Sequence, residues 1–241
     1  LKIDLNEALD TLDNMRELDS EEGVANALLL VAVAYLERGK ADMAGELLDE
    51  AYYYCRKLDN DLGRAQVSLR QGQMELLLGR PGEATAKYSE ALEVFQASDD
   101  LSGQVGALEG LAQALAADGD LAGAAAALEQ ALELAAQGND PVARVLLNQY
   151  LAPLYRRLDK HEEALKAYLE MGQGAQGLGD LQRVALALVG VGTMQALTGR
   201  PGAALKNLEQ AQRAFKELGL ATLADQVEQE IARLCADQTS P

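Results

Sequence analysis

Along residues 101–140 apolar side chains recur in two runs at helical spacing. Leu108, Leu111, Ala112 and Leu115 fall at i, i+3, i+4 and i+7, the stripe of one helix face. Gly119 then offers a left-handed stop, and Leu121, Ala124, Leu128 and Ala131 form a second stripe. Asp100 can cap the first run, and Asn139-Asp140 begins the next unit. Two helices with a short connection must pack antiparallel as a hairpin. Neither buries its stripe alone, so the pattern predicts hairpins that stack.

The unit repeats with a fixed period and without slippage. Alanine stands at 44, 84, 124, 164 and 204, and again at 51, 91, 131 and 211, with Met171 the one substitution. Gly39, Gly79, Gly119 and Gly199 share the turn position, where Asp159 is the exception. Ala32, Gly72, Ala112, Ala152 and Gly192 form a further small column. Ser20, Asn60, Asp100, Asp140 and Asp180 stand at the expected N-caps, and Pro141 at a first helical position. A period in this range marks a repeat architecture.

The expected organisation is a single domain. Residues 1–20 align with the second half of a unit and form a half repeat or N-terminal cap. Full units follow at 21–60, 61–100, 101–140, 141–180 and 181–220. A capping helix over 221–236 carries Leu223, Val227, Ile231 and Leu234 on one side, and a disordered tail covers 237–241. In the leading half unit Leu5, Ala8, Leu12 and Met15 form an apolar stripe without its usual partner helix. That open surface suggests self-association or a chain cut from something longer.

Composition agrees with helices. Hydrophobic residues make up 49% and aromatics only 4%, so the core rests on Leu, Ala and Val. No segment is long and apolar enough to span a bilayer, and no signal peptide is visible. Cys55 and Cys235 are too far apart to form a disulfide framework or a metal site, and this usage suits a cytoplasmic protein. Cys55 shares its column with Phe95, Ala135, Ala175 and Phe215 and reads as a core thiol.

The net charge is −17, which disfavours nucleic acid and anionic membranes as partners. The charge is uneven: 101–140 holds no Lys or Arg, whereas 181–220 carries a net positive charge. The sequence has no H-E-x-x-H, no phosphate-binding Gly-rich loop and no nucleophile with a matching base, so no enzyme, metal or cofactor is expected. His161 lies in a turn beside Glu162 and Glu163, and Tyr53 aligns with Glu93, Glu133, Gln173 and Arg213 and should face solvent.

These columns resemble the tetratricopeptide repeat. The likeness rests on the small residues Ala32, Gly72, Ala112, Ala152 and Gly192, the glycine turn, and the second-helix alanines. Tyr35, Leu115 and Tyr155 match its large position one turn on, while Glu75 and Gln195 depart. The longer period is similar to the variant in kinesin light chain, LGN/Pins scaffolds and bacterial regulators.

The resemblance implies an all-α, right-handed α-solenoid whose first helices line a concave, ligand-facing groove. Mapped here, that groove contains Leu29, Val33, Leu69, Gln73, Leu76, Glu109, Gln113, Gln149, Arg156, Arg157, Val189 and Thr193. It is apolar at its start, amide-rich in the middle and basic near Arg156 and Arg157. The Leu and Val members could equally pack between neighbouring first helices.

The implied partner is a protein or peptide with apolar anchors and acidic residues. The Lys/Asn/Arg clamp by which some family members hold chaperone C-termini is missing. The implied role is a protein-interaction scaffold; a ligand- or peptide-sensing regulatory domain is the alternative. The unit at 141–180 breaks the pattern with Pro153, Asp159 and Gly172, Gly174, Gly177 and Gly179. Those glycines suggest either a joint or close helix packing.

Overall fold

The junctions between helices share one design, and the chemistry of a few residues explains it. At 98–101, Asp99 adopts φ 55°. Asp100 N–H then donates to Phe95 O and Asp99 N–H to Gln96 O, satisfying the last carbonyls of one helix. The Asp100 carboxylate accepts from Gly103 N at 3.0 Å, and its carbonyl accepts from Gln104 N at 2.9 Å. One residue therefore closes one helix and caps the next.

The left-handed position recurs at every junction from 19 to 219. Gly39, Gly79, Gly119, Gly179, Gly199 and Gly219 alternate irregularly there with Asp19, Asp59, Asp99, Asn139 and Asp159. Asp and Asn tolerate this conformation better than other side chains. Ser20, Asn60, Asp140 and Asp180 repeat the capping bond of Asp100 to the third residue ahead. Asp120 caps Gly123 in the same way. Lys40, Arg80, Lys160 and Arg200 make no such bond, and Pro81 and Pro201 start two of the helices that follow.

The computed structural model describes residues 3–239, which form twelve α-helices. The chain divides into two compact units, with the boundary between Ala127 and Leu128, inside helix α7. The first unit contains α1 (Leu5–Glu17), α2 (Glu21–Leu36), α3 (Ala41–Lys57), α4 (Asp61–Leu77), α5 (Pro81–Ala97), α6 (Leu101–Asp118) and the start of α7 (Leu121–Gln137). The second contains the rest of α7, α8 (Pro141–Arg157), α9 (His161–Gly177), α10 (Leu181–Leu197), α11 (Pro201–Glu217) and α12 (Ala221–Thr239).

In the first unit α2 packs on α3 and α4 on α5 as hairpins, and the first helices α2, α4 and α6 lie side by side. In the second, α8 pairs with α9 and α10 with α11, and α8 touches α10. This is an all-α repeat fold of the solenoid class. No helix among the described residues is long and apolar enough to cross a membrane.

The small columns are where helices touch. Ala44, Ala84, Ala124, Ala164 and Ala204 are all fully buried, as are Ala32 and Ala152. A second relation joins each second helix to the first helix that follows it. A Cβ on Gly110 would stand 2.5 Å from Cζ of Tyr88, and one on Gly190 would stand 2.5 Å from Cγ of Tyr168. Tyr88 and Tyr168 are thus each received by a glycine in the following first helix. Gly174 meets Val145 equally closely.

Two expectations change, those for the leading stripe and for the tail, and the irregular unit keeps its helices. The stripe of α1 is not open: Ala8 and Leu12 are buried, and Leu5, Leu9 and Met15 pack against the α2–α3 core. Asn6, Glu7, Asp10, Asp13 and Asn14 form its outer, polar face. Pro153 does not break α8, which runs continuously to Arg157. Likewise α9 and α10 are unbroken through their glycines, several of which sit at close packing contacts. The last helix continues through residues 237–239 because no Gly or Pro intervenes; Ser240 and Pro241 of the expected tail lie outside the described residues.

Candidate functional site

On α4, Gln66, Leu69, Arg70 and Gln73 share one face by the i, i+3, i+4, i+7 rule. On α6, Ser102, Gly106, Glu109 and Gln113 also share a face, at steps of three and four. These two faces, with Leu29 of α2 at one side, enclose a cavity of about 560 Å³, within the range of small-ligand sites. Tyr88 and Phe95 of α5 close its base. Five expected groove residues meet there: Leu29, Leu69, Gln73, Glu109 and Gln113. Val33 is half-buried on α2 outside the cavity, and Leu76 packs beside Ala84, Tyr88 and Ala114.

The cavity holds two opposite charges that do not pair. Arg70 is half-buried, and its hydrogen bond is a long one of 3.4 Å to Oε1 of Gln73. Burial lowers its pKa, while Tyr88 and Glu37 act in the opposite sense from further away. Burial raises the Glu109 carboxyl above its ordinary value, opposed by the Gln113 side-chain amide, which donates to Oε1 at 3.2 Å. Tyr88 feels both: burial pushes its phenol up to about 12, with Arg70 pulling down and Glu109 pushing up. Sequence reasoning missed Arg70, because its column reads Leu30, Arg70, Gly110, Tyr150 and Gly190 and shows no pattern.

In the second unit the remaining expected residues do not converge. Gln149 accepts from Nε of Arg183 at 2.9 Å. Val189 packs into the core shared by α10, α11 and α12. Thr193 donates to Oε1 of Glu230 at 2.8 Å, beside a cavity of about 490 Å³ between α10 and α12. Arg156 and Arg157 are exposed in the last turn of α8, where cations suit the helix dipole. The neighbouring Tyr155 hydroxyl donates to Oε1 of Glu129 at 2.6 Å, and Lys160 lies over its ring. Among the described residues no cluster of His, Cys, Asp or Glu could hold a metal ion.

Paired helices of even length, a left-handed closure at every junction and buried small columns define a helical-hairpin repeat protein. Residues 23–97 match the tetratricopeptide repeat family, and the whole chain has the fold of tetratricopeptide-repeat proteins. No curated protein matches the chain significantly. Among solved structures it is similar to BtubC (BKLC) from P. vanneervenii, with a TM-score of 0.81 at 15% identity, over 89% of this chain and 91% of that one.

A Rap protein complexed with competence and sporulation factor gives a TM-score of 0.72 at 14% identity, over 97% of this chain and 70% of that one. A STAND protein with a tetratricopeptide repeat sensor from Pyrococcus horikoshii gives 0.79 at 18% identity; this chain is covered over 98% and spans 37% of that one. At these identities the likeness is one of fold.

Proposed function

We propose that the chain is a protein-interaction scaffold that binds a peptide or a segment of a partner protein on the first-helix face of its first unit. The observation that carries this reading is the cavity across α2, α4 and α6, where amide, charged and apolar side chains face one space. Such a mixed lining suits an extended segment with a few anchoring side chains. The test is affinity capture with the wild-type chain and with Gly106→Phe. A Cβ on Gly106 clears Leu69 at 3.6 Å, so the phenyl ring can enter the cavity. Partners should be lost with this variant and retained with Arg156→Glu/Arg157→Glu. Identical partners on wild type and Gly106→Phe would refute the assignment of the face.

A second reading, a peptide-sensing regulatory domain, has its own support. The fold is shared with a Rap protein solved with a factor bound and with a STAND protein's repeat sensor. A sensor requires that the ligand favour one of two conformations. Small-angle scattering distinguishes the two readings, because a sensor compacts when its peptide binds and a rigid scaffold keeps its dimensions.

A further inference from the structure

Five cations elsewhere in the first unit find carboxylates, and Arg38 donates instead to the carbonyls of Ala34 and Ile3. Arg16 pairs with Glu50, Lys57 with Glu21, Arg64 with Asp61, Arg80 with Glu75 and Lys87 with Glu90. Most of these pairs lie on exposed surface, where such contacts contribute little. Arg70 is half-buried, lines the cavity and forms no ion pair among the described residues; the Glu37 carboxylate acts on it only from beyond ion-pair distance. Glu109, across the same cavity, has only the Gln113 amide. Withdrawing a charge from water without an opposite charge is costly. Two such charges of opposite sign in one open cavity are matched to something that brings the complementary pair.

We propose that this cavity seats a mixed-charge segment of the partner. An Asp or Glu side chain ion-pairs with Arg70, and a Lys or Arg side chain is held by Glu109, both beside the Tyr88 ring. The guanidinium fork matches a carboxylate with two parallel hydrogen bonds. Gln66 and Gln73, on the same wall as Arg70, offer amide donors and acceptors to the segment's backbone. Gly106 leaves the α6 wall open, since a side chain there would occupy the space the segment needs. This assignment rests on the first-helix face being the binding surface. It moves the acid-reading cation from Arg156 and Arg157 to Arg70.

The probe is a random dodecapeptide display library selected on the full chain. Enriched sequences are resynthesised with amidated C-termini, so that only side chains can supply a carboxylate, and affinities are measured by fluorescence anisotropy. Circular dichroism verifies that each variant is folded. The expected peptides carry an acidic and a basic residue. Arg70→Gln should weaken binding at least tenfold, and replacing the peptide's acidic residue with Lys should do the same on wild type. Arg70→Glu should restore the Lys-substituted peptide.

Peptides that bind wild type and Arg70→Gln within twofold of each other, yet lose binding to Gly106→Phe, would overturn the charge assignment and leave the binding face standing. Failure to enrich any peptide, or binding unaffected by Gly106→Phe, would overturn both.

Discussion

Helix α6 carries two mid-helix glycines, one turn apart, that should respond oppositely to the same substitution. In an exposed helix interior Gly→Ala adds about 0.8–1 kcal/mol of stability through propensity. At Gly106 nothing opposes this gain, because the new Cβ lies 3.6 Å from Leu69, an ordinary contact. At Gly110 the Cβ would lie 2.5 Å from Cζ and 2.6 Å from Cδ1 of Tyr88, well inside the 3.4 Å at which ordinary contact begins. Tyr88 is 4% exposed, and its open side is the cavity, so relief requires the ring to move there. Overpacking of this kind costs about 1–3 kcal/mol.

The propensity gain is common to both sites, so the two variants should differ by the packing cost alone. Gly106→Ala raises stability by up to ~1 kcal/mol, and Gly110→Ala lies about 1–3 kcal/mol below it. Urea unfolding followed by circular dichroism reads both, provided the slope is unchanged. The two substitutions made again in a Tyr88→Leu background should become equivalent, because the ring is gone and neither site is then obstructed. Equal shifts for Gly106→Ala and Gly110→Ala in the wild-type background would refute the ring-against-glycine account.

Hydrogen exchange should find amides at 170–192 as protected as those at 110–135, because α9 and α10 are continuous and Gly174 and Gly190 sit at close contacts. Markedly faster exchange at 170–192 would favour a joint there. Asp180 is held below its ordinary 3.8, first by the Arg183 backbone N–H; burial opposes this, and the Arg183 side chain and the Gln182 N–H add to the lowering. Its contribution is therefore present above the unfolded value and lost as pH falls through the folded one. Asp180→Asn keeps an acceptor for the N–H without the charge. Its stability deficit at neutral pH should shrink in strong acid, which unfolding curves at both conditions test. Cys235 is exposed, whereas Cys55 is buried and its thiol is raised by desolvation, with Arg64 acting the other way. A thiol reagent should modify one cysteine quickly and the second only on unfolding; two fast thiols would contradict this packing.

Much of the fold was legible because its causes are local. Capping residues, turn glycines and apolar stripes act within a few positions of themselves, so a constant repeat register reveals them in five copies. The left-handed Asp19, Asp59 and Asp99 were less visible, since the adjacent cap residue already accounted for an acidic or polar dipeptide at each junction. The site was only half legible. Leu29, Leu69, Gln73, Glu109 and Gln113 do share a cavity, whereas Arg156, placed in the groove by its column, and Arg157 beside it are exposed at the end of α8, outside that cavity. Arg70 could not be ranked from sequence, because its importance depends on how far water is withdrawn from it and on which carboxylates stay out of reach.

The cavity and the tyrosine–glycine pairing are two consequences of one pair of columns. Second helices place Leu48, Tyr88, Leu128, Tyr168 and Leu208 in register, and the helices that follow them place Arg70, Gly110, Tyr150, Gly190 and Glu230. Wherever the first set has tyrosine, the second has glycine; wherever it has leucine, the second has a long polar or aromatic side chain. The Tyr88 and Tyr168 rings stand where a Cβ on Gly110 or Gly190 would lie, so only glycine leaves room for them. In the first unit this puts the projecting Arg70 on α4 beside the withdrawn Gly110 on α6, and the space between them is part of the cavity. A repeat that must keep its small alanine columns for stacking can still vary this column pair without disturbing the stack. Alternating its volumes opens a recess, and the long member supplies a charge at the recess wall. In the first unit this exchange of volume coincides with a cation that forms no ion pair, at the wall of the cavity.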